Sequence, residues 1–237
     1  MRWQHWGRAL SLVAVLFAPG LAAADEVNEA FVAYTQRNFE EARTKFRAAA
    51  IDRDNAIAQI YLGFMYYEGQ GVEKDRREAF RWFERAARKG LALAQYNVGM
   101  MYADGQGVMQ DYAQAVYWYG QAAAQGFAEA QFRLARMHQR GLGVPASIPE
   151  TVRWMTRAAE SGHTAAQLAV GIMFRDGNGV GRSFPRAHMW MNLAAQAGNA
   201  EAGTVRDEIA RTMTPDEIAE AHALARRCKA SEYKNCG

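Results

Sequence analysis

Ser231 and Lys234 are spaced for covalent chemistry, because Ser-x-x-Lys is the acylating pair of penicillin-recognising enzymes. That chemistry would make the chain a hydrolase or binding protein for β-lactam or cell-wall substrates. The motif works at a helix N-terminus, with further partner motifs in an α/β fold. Here it lies between Cys228 and Cys236 at the end of the chain, so no catalytic residue is assigned and the hydrolase stands as the alternative reading. The histidines His5, His138, His163, His188 and His222 show no metal-ligand spacing such as His-Glu-x-x-His. Gly177-x-Gly179-x-Gly181 has the glycines of a nucleotide-binding loop without the strand that should precede it. No cofactor and no metal are therefore expected.

The N-terminus sets the compartment. Arg2 and Arg8 flank the start of a short apolar run, Ala9 to Phe17, and small residues at Ala22-Ala23-Ala24 follow. This is the pattern of a secretory signal peptide over residues 1–24, cut after Ala24. The run is too short for the roughly 20 residues of a membrane span, and no second one follows. A periplasmic or secreted protein is the expectation. In that setting Cys228 and Cys236 read as a disulfide rather than as metal ligands or a nucleophile. With 28 Lys and Arg against 25 Asp and Glu the whole chain carries +3; without Arg2 and Arg8 the mature chain carries +1. Near-balanced charge and the lack of a basic run argue against nucleic acid as a partner.

Everything else is organised by a 36-residue period. Ala58-Gln59, Ala94-Gln95, Ala130-Gln131 and Ala166-Gln167 share a column, followed by Gly63, Gly99, Ala135 and Gly171. Tyr66, Tyr102, His138 and Phe174 come next, then the Gly-x-Gly-Val runs that begin at Gly69, Gly105, Gly141 and Gly177. Trp82, Trp118, Trp154 and Trp190 precede paired alanines, and Gly90, Gly126, Gly162 and Gly198 close the units. Four registers without an insertion are not chance.

Each unit reads as two helices. In the first, Ala58, Leu62, Met65 and Tyr66 lie on one buried stripe. A small residue at the Gly63 column predicts the close approach of a neighbouring helix. Gly69 and its equivalents end that helix. Asp75-x-x-Glu78, Asp111-x-x-Gln114 and Ser147-x-x-Glu150 predict capping boxes for the second helix, and Ser183 a cap alone. Inside it, Ala79, Trp82 and Ala86 are expected to form the buried face. Residues 25–55 form an N-terminal capping hairpin, and residues 199–237 are capping helices closed by the disulfide. Four repeats lie between them, at 56–90, 91–126, 127–162 and 163–198.

The pattern A-x3-LG-x2-Y-x2-GxGV-x2-D-x3-A-x2-W-x3-AA-x2-G resembles the Sel1-like repeat family, a relative of tetratricopeptide repeats with a longer inter-helix loop. The resemblance implies an all-α fold, a right-handed α/α solenoid, and a role in holding other proteins. It implies no shared reaction. Repeat three departs most, with Ala135, His138 and Thr151 in place of Gly, Tyr and Ala.

By analogy with tetratricopeptide arrays, the inner surface is lined by the first helices. Ile57, Ile60, Phe64 and Tyr67 fall there in repeat one, Tyr96 and Met100 in repeat two, Phe132, Arg136 and Arg140 in repeat three, and Arg175 in repeat four. The functional expectation is a groove with aromatic anchors and an Arg end, able to receive a segment of a partner protein and to pair with its acidic groups or C-terminus. The alternative for Ile60, Phe64 and Tyr96 is packing between neighbouring repeats. An exported scaffold, adaptor or regulator, working as a monomer, is the resulting expectation.

Overall fold

The computed structural model describes residues 22–233 and Cys236, with residues 22–25 in backbone only. The signal-peptide reading falls almost wholly outside them. The described residues hold twelve α-helices and no strand. They form two compact units, through Lys74 and from Asp75 onward. The first contains α1 (Ala22–Thr35), α2 (Phe39–Asp52) and α3 (Ala56–Glu68). The second contains α4 (Arg76–Arg88), α5 (Ala92–Asp104), α6 (Tyr112–Ala124), α7 (Ala128–Arg140) and α8 (Ile148–Glu160). It continues through α9 (Thr164–Asp176), α10 (Phe184–Gln196), α11 (Ala200–Ala210) and α12 (Pro215–Ala230). This is the all-α helix-pair solenoid fold that the period predicts.

Polar side chains decide where the second helices begin. Asp75 accepts hydrogen bonds from the backbone N–H groups of Arg77 and Glu78, and Asp111 does the same for Ala113 and Gln114. Ser147 caps α8 through Glu150 N–H, and Ser183 caps α10 through Arg186 N–H. The expected capping boxes are only half present in these helices. Glu78 and Glu150 turn outward to Arg81 and Arg153 instead of back to the cap residue. The reciprocal box forms at α12, where Thr214 and Glu217 satisfy one another's backbone N–H groups.

The first helices end on left-handed glycines: Gly69, Gly105, Gly141 and Gly177 have φ between 66 and 76°. The second glycine of each loop has a different job. A Cβ on Gly107 would stand 2.1 Å from the Arg76 carbonyl oxygen, and one on Gly143 would stand 2.3 Å from that of Tyr112. The loop of one repeat therefore lies directly on the first turn of the preceding repeat's second helix, and a side chain would push the two apart.

Within a repeat the helices approach as the small-residue column predicts. A Cβ on Gly99 would fall 2.8 Å from the Tyr119 ring, and one on Gly171 would fall 2.8 Å from Met191 Cγ. Tyr119 and Met191 belong to a column the sequence reading did not single out: Phe83, Tyr119, Met155 and Met191 are all buried. This column, one residue beyond the tryptophans, is the deepest part of the second helices. The Trp face is a correction, since Trp190 is fully buried but Trp82 and Trp154 are half-buried. Arg153 and Arg157 cover the Trp154 ring at 5.1 and 5.0 Å, so the indole is roofed by cations rather than by core.

The most regular contact between elements is made by the glutamines. Gln59 donates through Nε2 to Ala50 O, Gln95 to Ala87 O, Gln131 to Ala123 O and Gln167 to Ala159 O, at 3.1 to 3.3 Å. Each serves a carbonyl in the last turn of the preceding helix; Ala87 O, Ala123 O and Ala159 O also accept from the N–H of Gly90, Gly126 and Gly162. Gln59 Oε1 is buried without a partner. For the middle two glutamines the other end of the amide is served from the next repeat: Gln125 donates to Gln95 Oε1 at 2.8 Å, and Ser161 Oγ to Gln131 Oε1 at 3.0 Å. At the next step the residue is Ala197, which has no donor to give, and Gln167 Oε1 is buried without a partner.

In the first unit, Phe46 is fully buried and stacks on Tyr61 at 4.8 Å, with Phe31 and Tyr34 edge-on to the same ring. Burial pushes the Tyr61 hydroxyl up to about 12. At the C-terminal end, Ala202, Ile209, Ala225 and Cys228 close the core of the second unit. Cys228 and Cys236 are joined in a disulfide, and Cys236 N–H donates to Glu160 on α8.

Two outcomes follow from these contacts. Ser161 and Ala197 share nearly the same backbone conformation, φ −80 and −81°. Ala197→Ser should therefore supply the missing donor and raise stability by about 1 kcal/mol in urea denaturation; no gain would mean that the glutamine oxygen needs no partner. His188, at a position held by Phe80, Val116 and Val152 in the other repeats, is buried with Nδ1 unpartnered and faces His222 of α12 and Arg206 and Asp207 of α11. Burial, then His222 and Arg206, lower its pKa below the ordinary 6.5. A lowered His pKa favours the neutral form in the folded state, so its contribution is complete above about pH 6.5 and is lost as pH falls below that. Urea denaturation across this window should show a steeper acid loss for wild type than for His188→Val. Identical slopes would contradict the assignment.

Candidate functional site

The side chains expected to line a groove fall into two classes. In the first unit, Ile60, Phe64 and Tyr67 are buried and Ile57 is half-buried. In the second, Tyr96 and Met100 are buried. Tyr96 packs at 5.8 Å from Tyr119 and 5.3 Å from Phe127, and burial together with the Glu129 carboxylate pushes its hydroxyl up to about 12. These side chains pack in the core instead of standing out as anchors. The cause is legible in their helices: α3 is buried continuously from Ala58 to Met65 and α5 from Ala94 to Met101, because both are apolar nearly all round.

The open face belongs to α7. Phe132 and Arg136 are half-buried, and Arg133, Gln139 and Arg140 are exposed. Its amphipathic sequence leaves a polar side that α3 and α5 lack. Glu129 organises the N-terminal half of this face: one carboxylate oxygen accepts from Arg133 Nε at 3.0 Å and the other lies 2.8 Å from His163 Nε2. His163 Nδ1 accepts from Ala166 N–H at 3.1 Å and so caps α9, which places the ring proton on Nε2, directed at Glu129. Phe132 stacks on the same imidazole at 4.4 Å and 17°. Burial works against the Glu129 charge, but His163 and Arg133 outweigh it and hold its pKa below the ordinary value. Burial likewise opposes the Arg133 charge, and Tyr96, Glu129 and Tyr119 outweigh it.

The C-terminal half of the face is different. Arg136 has its pKa lowered by burial and by the neighbouring Arg140 and Arg133. Among the described residues, neither Arg136 nor Arg140 has a carboxylate within ion-pair distance. Arg175, the remaining predicted cation, is already satisfied: it makes a two-pronged contact with Asp176 at 2.7 and 2.9 Å, with Glu208 nearby. It lines a shallow cleft with Asp176, Arg182, Phe184 and Glu208. The structure therefore separates the predicted Arg end into a free pair and a neutralised one.

The sequence reading missed Glu129, Arg133 and His163 as a linked group. A signal existed in the columns, since Arg133 replaces Tyr61, Asn97 and Ala169, and Glu129 replaces Ile57, Leu93 and Ala165. Ser231 follows α12 as its C-terminal cap, with its hydroxyl donating to Cys228 O, and Lys234 lies outside the described residues. A serine at a helix C-terminus lacks the placement that acyl transfer at this motif requires. Among the described residues no group of three His, Cys, Asp or Glu side chains is placed to hold a metal. No described helix is long and apolar enough to cross a membrane.

A family model for the Sel1 repeat matches residues 56–91, 92–127, 128–163 and 164–199, more than half of the chain. The chain belongs to the Sel1 repeat family. A Sel1 repeat protein from Oxalobacter formigenes is 33% identical, with a TM-score of 0.69 over 74% of this chain and 72% of that one. A protective antigen of uropathogenic Escherichia coli, c5321, displays the same fold and is 30% identical, with a TM-score of 0.72 over 82% of this chain. This chain spans only 42% of that protein's length. No curated protein matches it. Sel1 repeat proteins generally mediate protein–protein interaction and are typically not enzymes.

His163 is the joint between repeats three and four of this Sel1 protein, and its two ring nitrogens do separate work. His163→Ala should lower the stability of the second unit by about 1 kcal/mol through loss of the cap, whereas His163→Asn, which keeps an acceptor there, should lose less. Equal losses in urea denaturation would show that the Glu129 contact, not the cap, carries the effect.

Proposed function

We propose that this protein is an exported, non-enzymatic adaptor or regulator of the bacterial envelope that holds a segment of another protein against the inner faces of α7 and α9. The observation that carries the reading is the exposed face of α7. In a repeat series whose other early first helices are buried nearly all round, this one keeps an aromatic side chain, an amide and two unpartnered guanidinium groups at the surface. Half-buried Phe132 and Ile172 supply apolar surface beside those charges. Such a face suits a peptide segment, which needs an apolar anchor and directional polar contacts at its rim. Family membership supports protein binding as the activity. Export is supported by the N-terminal Arg2, Arg8 and apolar-run pattern and by the disulfide between Cys228 and Cys236.

A photo-crosslinking amino acid tests the location. Placed at Gln139, on the exposed face of α7, it should give a discrete adduct with one envelope protein. Placed at Arg153, exposed on α8, it should give none. No adduct from position 139, or equal adducts from both positions, would rule out this face as the docking surface.

A further inference from the structure

We infer that α7 receives an acidic segment of the partner, in which two side-chain carboxylates meet Arg136 and Arg140 and an apolar residue packs beside Phe132. The inference rests on the partner-binding reading above and gives that partner a chemistry.

The first argument is the comparison of the repeats with one another. The column of Arg136 contains Phe64, Met100 and Ile172, so the fold itself asks for an apolar residue there. The column of Arg140 contains Glu68, Asp104 and Asp176, so repeat three inverts the charge that the other three carry. Two departures of the same sign, one helical turn apart, concentrate positive charge where the repeat pattern does not call for it.

The second argument is electrostatic. Arg133 is matched by Glu129, but Arg136 sits half-buried beside two other guanidinium groups, and both its burial and their repulsion disfavour its charge. A ligand carboxylate between Arg136 and Arg140 would relieve that repulsion with charge-assisted hydrogen bonds of the planar kind that Arg makes best. The face thus complements a negative partner and repels a positive one.

Geometry sets the spacing. Residues four apart on a helix have Cβ atoms about 5–6 Å apart. Alternate residues of an extended strand lie roughly 6.6 Å apart on one face. An extended segment with acidic residues at alternate positions therefore places both carboxylates over the Arg pair. The alternate position before them then lies over Phe132, a further turn along α7, where an apolar side chain fits.

The test uses the full mature chain and a short fluorescein-labelled peptide containing Leu-Ser-Glu-Ser-Glu, with the Glu→Gln peptide and a labelled single-stranded DNA as comparisons. Arg136→Met/Arg140→Asp restores residues found at these positions in repeat two, so the variant is expected to keep its fold, which thermal denaturation checks. Fluorescence anisotropy should show the Glu peptide binding the wild type at least about tenfold more tightly than it binds the double variant, or than the Gln peptide binds the wild type. The difference should shrink as salt is raised. Equal affinities for the Glu and Gln peptides, an unaffected double variant, or preference for the DNA would overturn the inference. If the Gln139 adduct survives in the double variant, partner docking stands and its acidic chemistry fails; if the wild type gives no adduct, the docking reading fails first.

Discussion

The hydrogen bond from a buried glutamine to the end of the preceding helix fixes how one repeat meets the next. Gln59, Gln95, Gln131 and Gln167 each reach a carbonyl of the paired-alanine segment, or its equivalent in α2, and in the last three the same oxygen also accepts from the N–H of Gly90, Gly126 or Gly162. A carbonyl oxygen has two lone pairs, and the amide N–H takes one that the turn leaves open. The amide must therefore sit at one height along the helix end, and the first helix that carries it is placed with it. The alanines, with no side chain to intrude, let the amide in, and the glycines that follow turn the chain back at that level. At Gly203, one period after Gln167, there is no side chain to continue the series. The capping helices α11 and α12 take over there.

This dependence explains which features were readable from the sequence and which were not. Columns of glycine, alanine and capping residues announce themselves because backbone geometry accepts few substitutes. The expected helix pairs, left-handed glycine ends and side-chain N-caps are accordingly present. The glutamine column was equally visible, but its function was not, since its acceptor lies eight or nine residues back on another helix. The deep column of Phe83, Tyr119, Met155 and Met191 was hidden for the opposite reason. A buried site accepts any large apolar residue that fills the space, so its identity drifts while its burial does not. The invariant tryptophans looked like core, yet two of them are half-covered by arginines.

The groove suffered from the same confusion between residue type and exposure. Phe64, Tyr67 and Tyr96 were plausible anchors by chemistry, but α3 and α5 have no polar side to turn outward, and the packing claims them. Arg140 is exposed and Arg136 half-buried on α7. Arg175 is half-buried on α9, and its neighbour Asp176 neutralises it. Spacing along the chain identifies a face; whether a charge on it is spent depends on its surroundings.

That distinction gives repeat three its significance. Arg133, Arg136 and Arg140 crowd one side of α7, and half-burial of Arg136 beside like charges works against folding. The fold compensates locally. Glu129 takes up Arg133, His163 holds Glu129 while capping α9, and Phe132 lies flat on the imidazole. Without that linkage Arg133 would add a third unmatched guanidinium group to this side of α7. The compensation stops one turn short of Arg136 and Arg140, although an acidic residue at position 140, as in every other repeat, would have completed it. A sequence that keeps its local rules in repeats one, two and four and breaks them twice in repeat three suits a site whose missing partner comes from outside the chain.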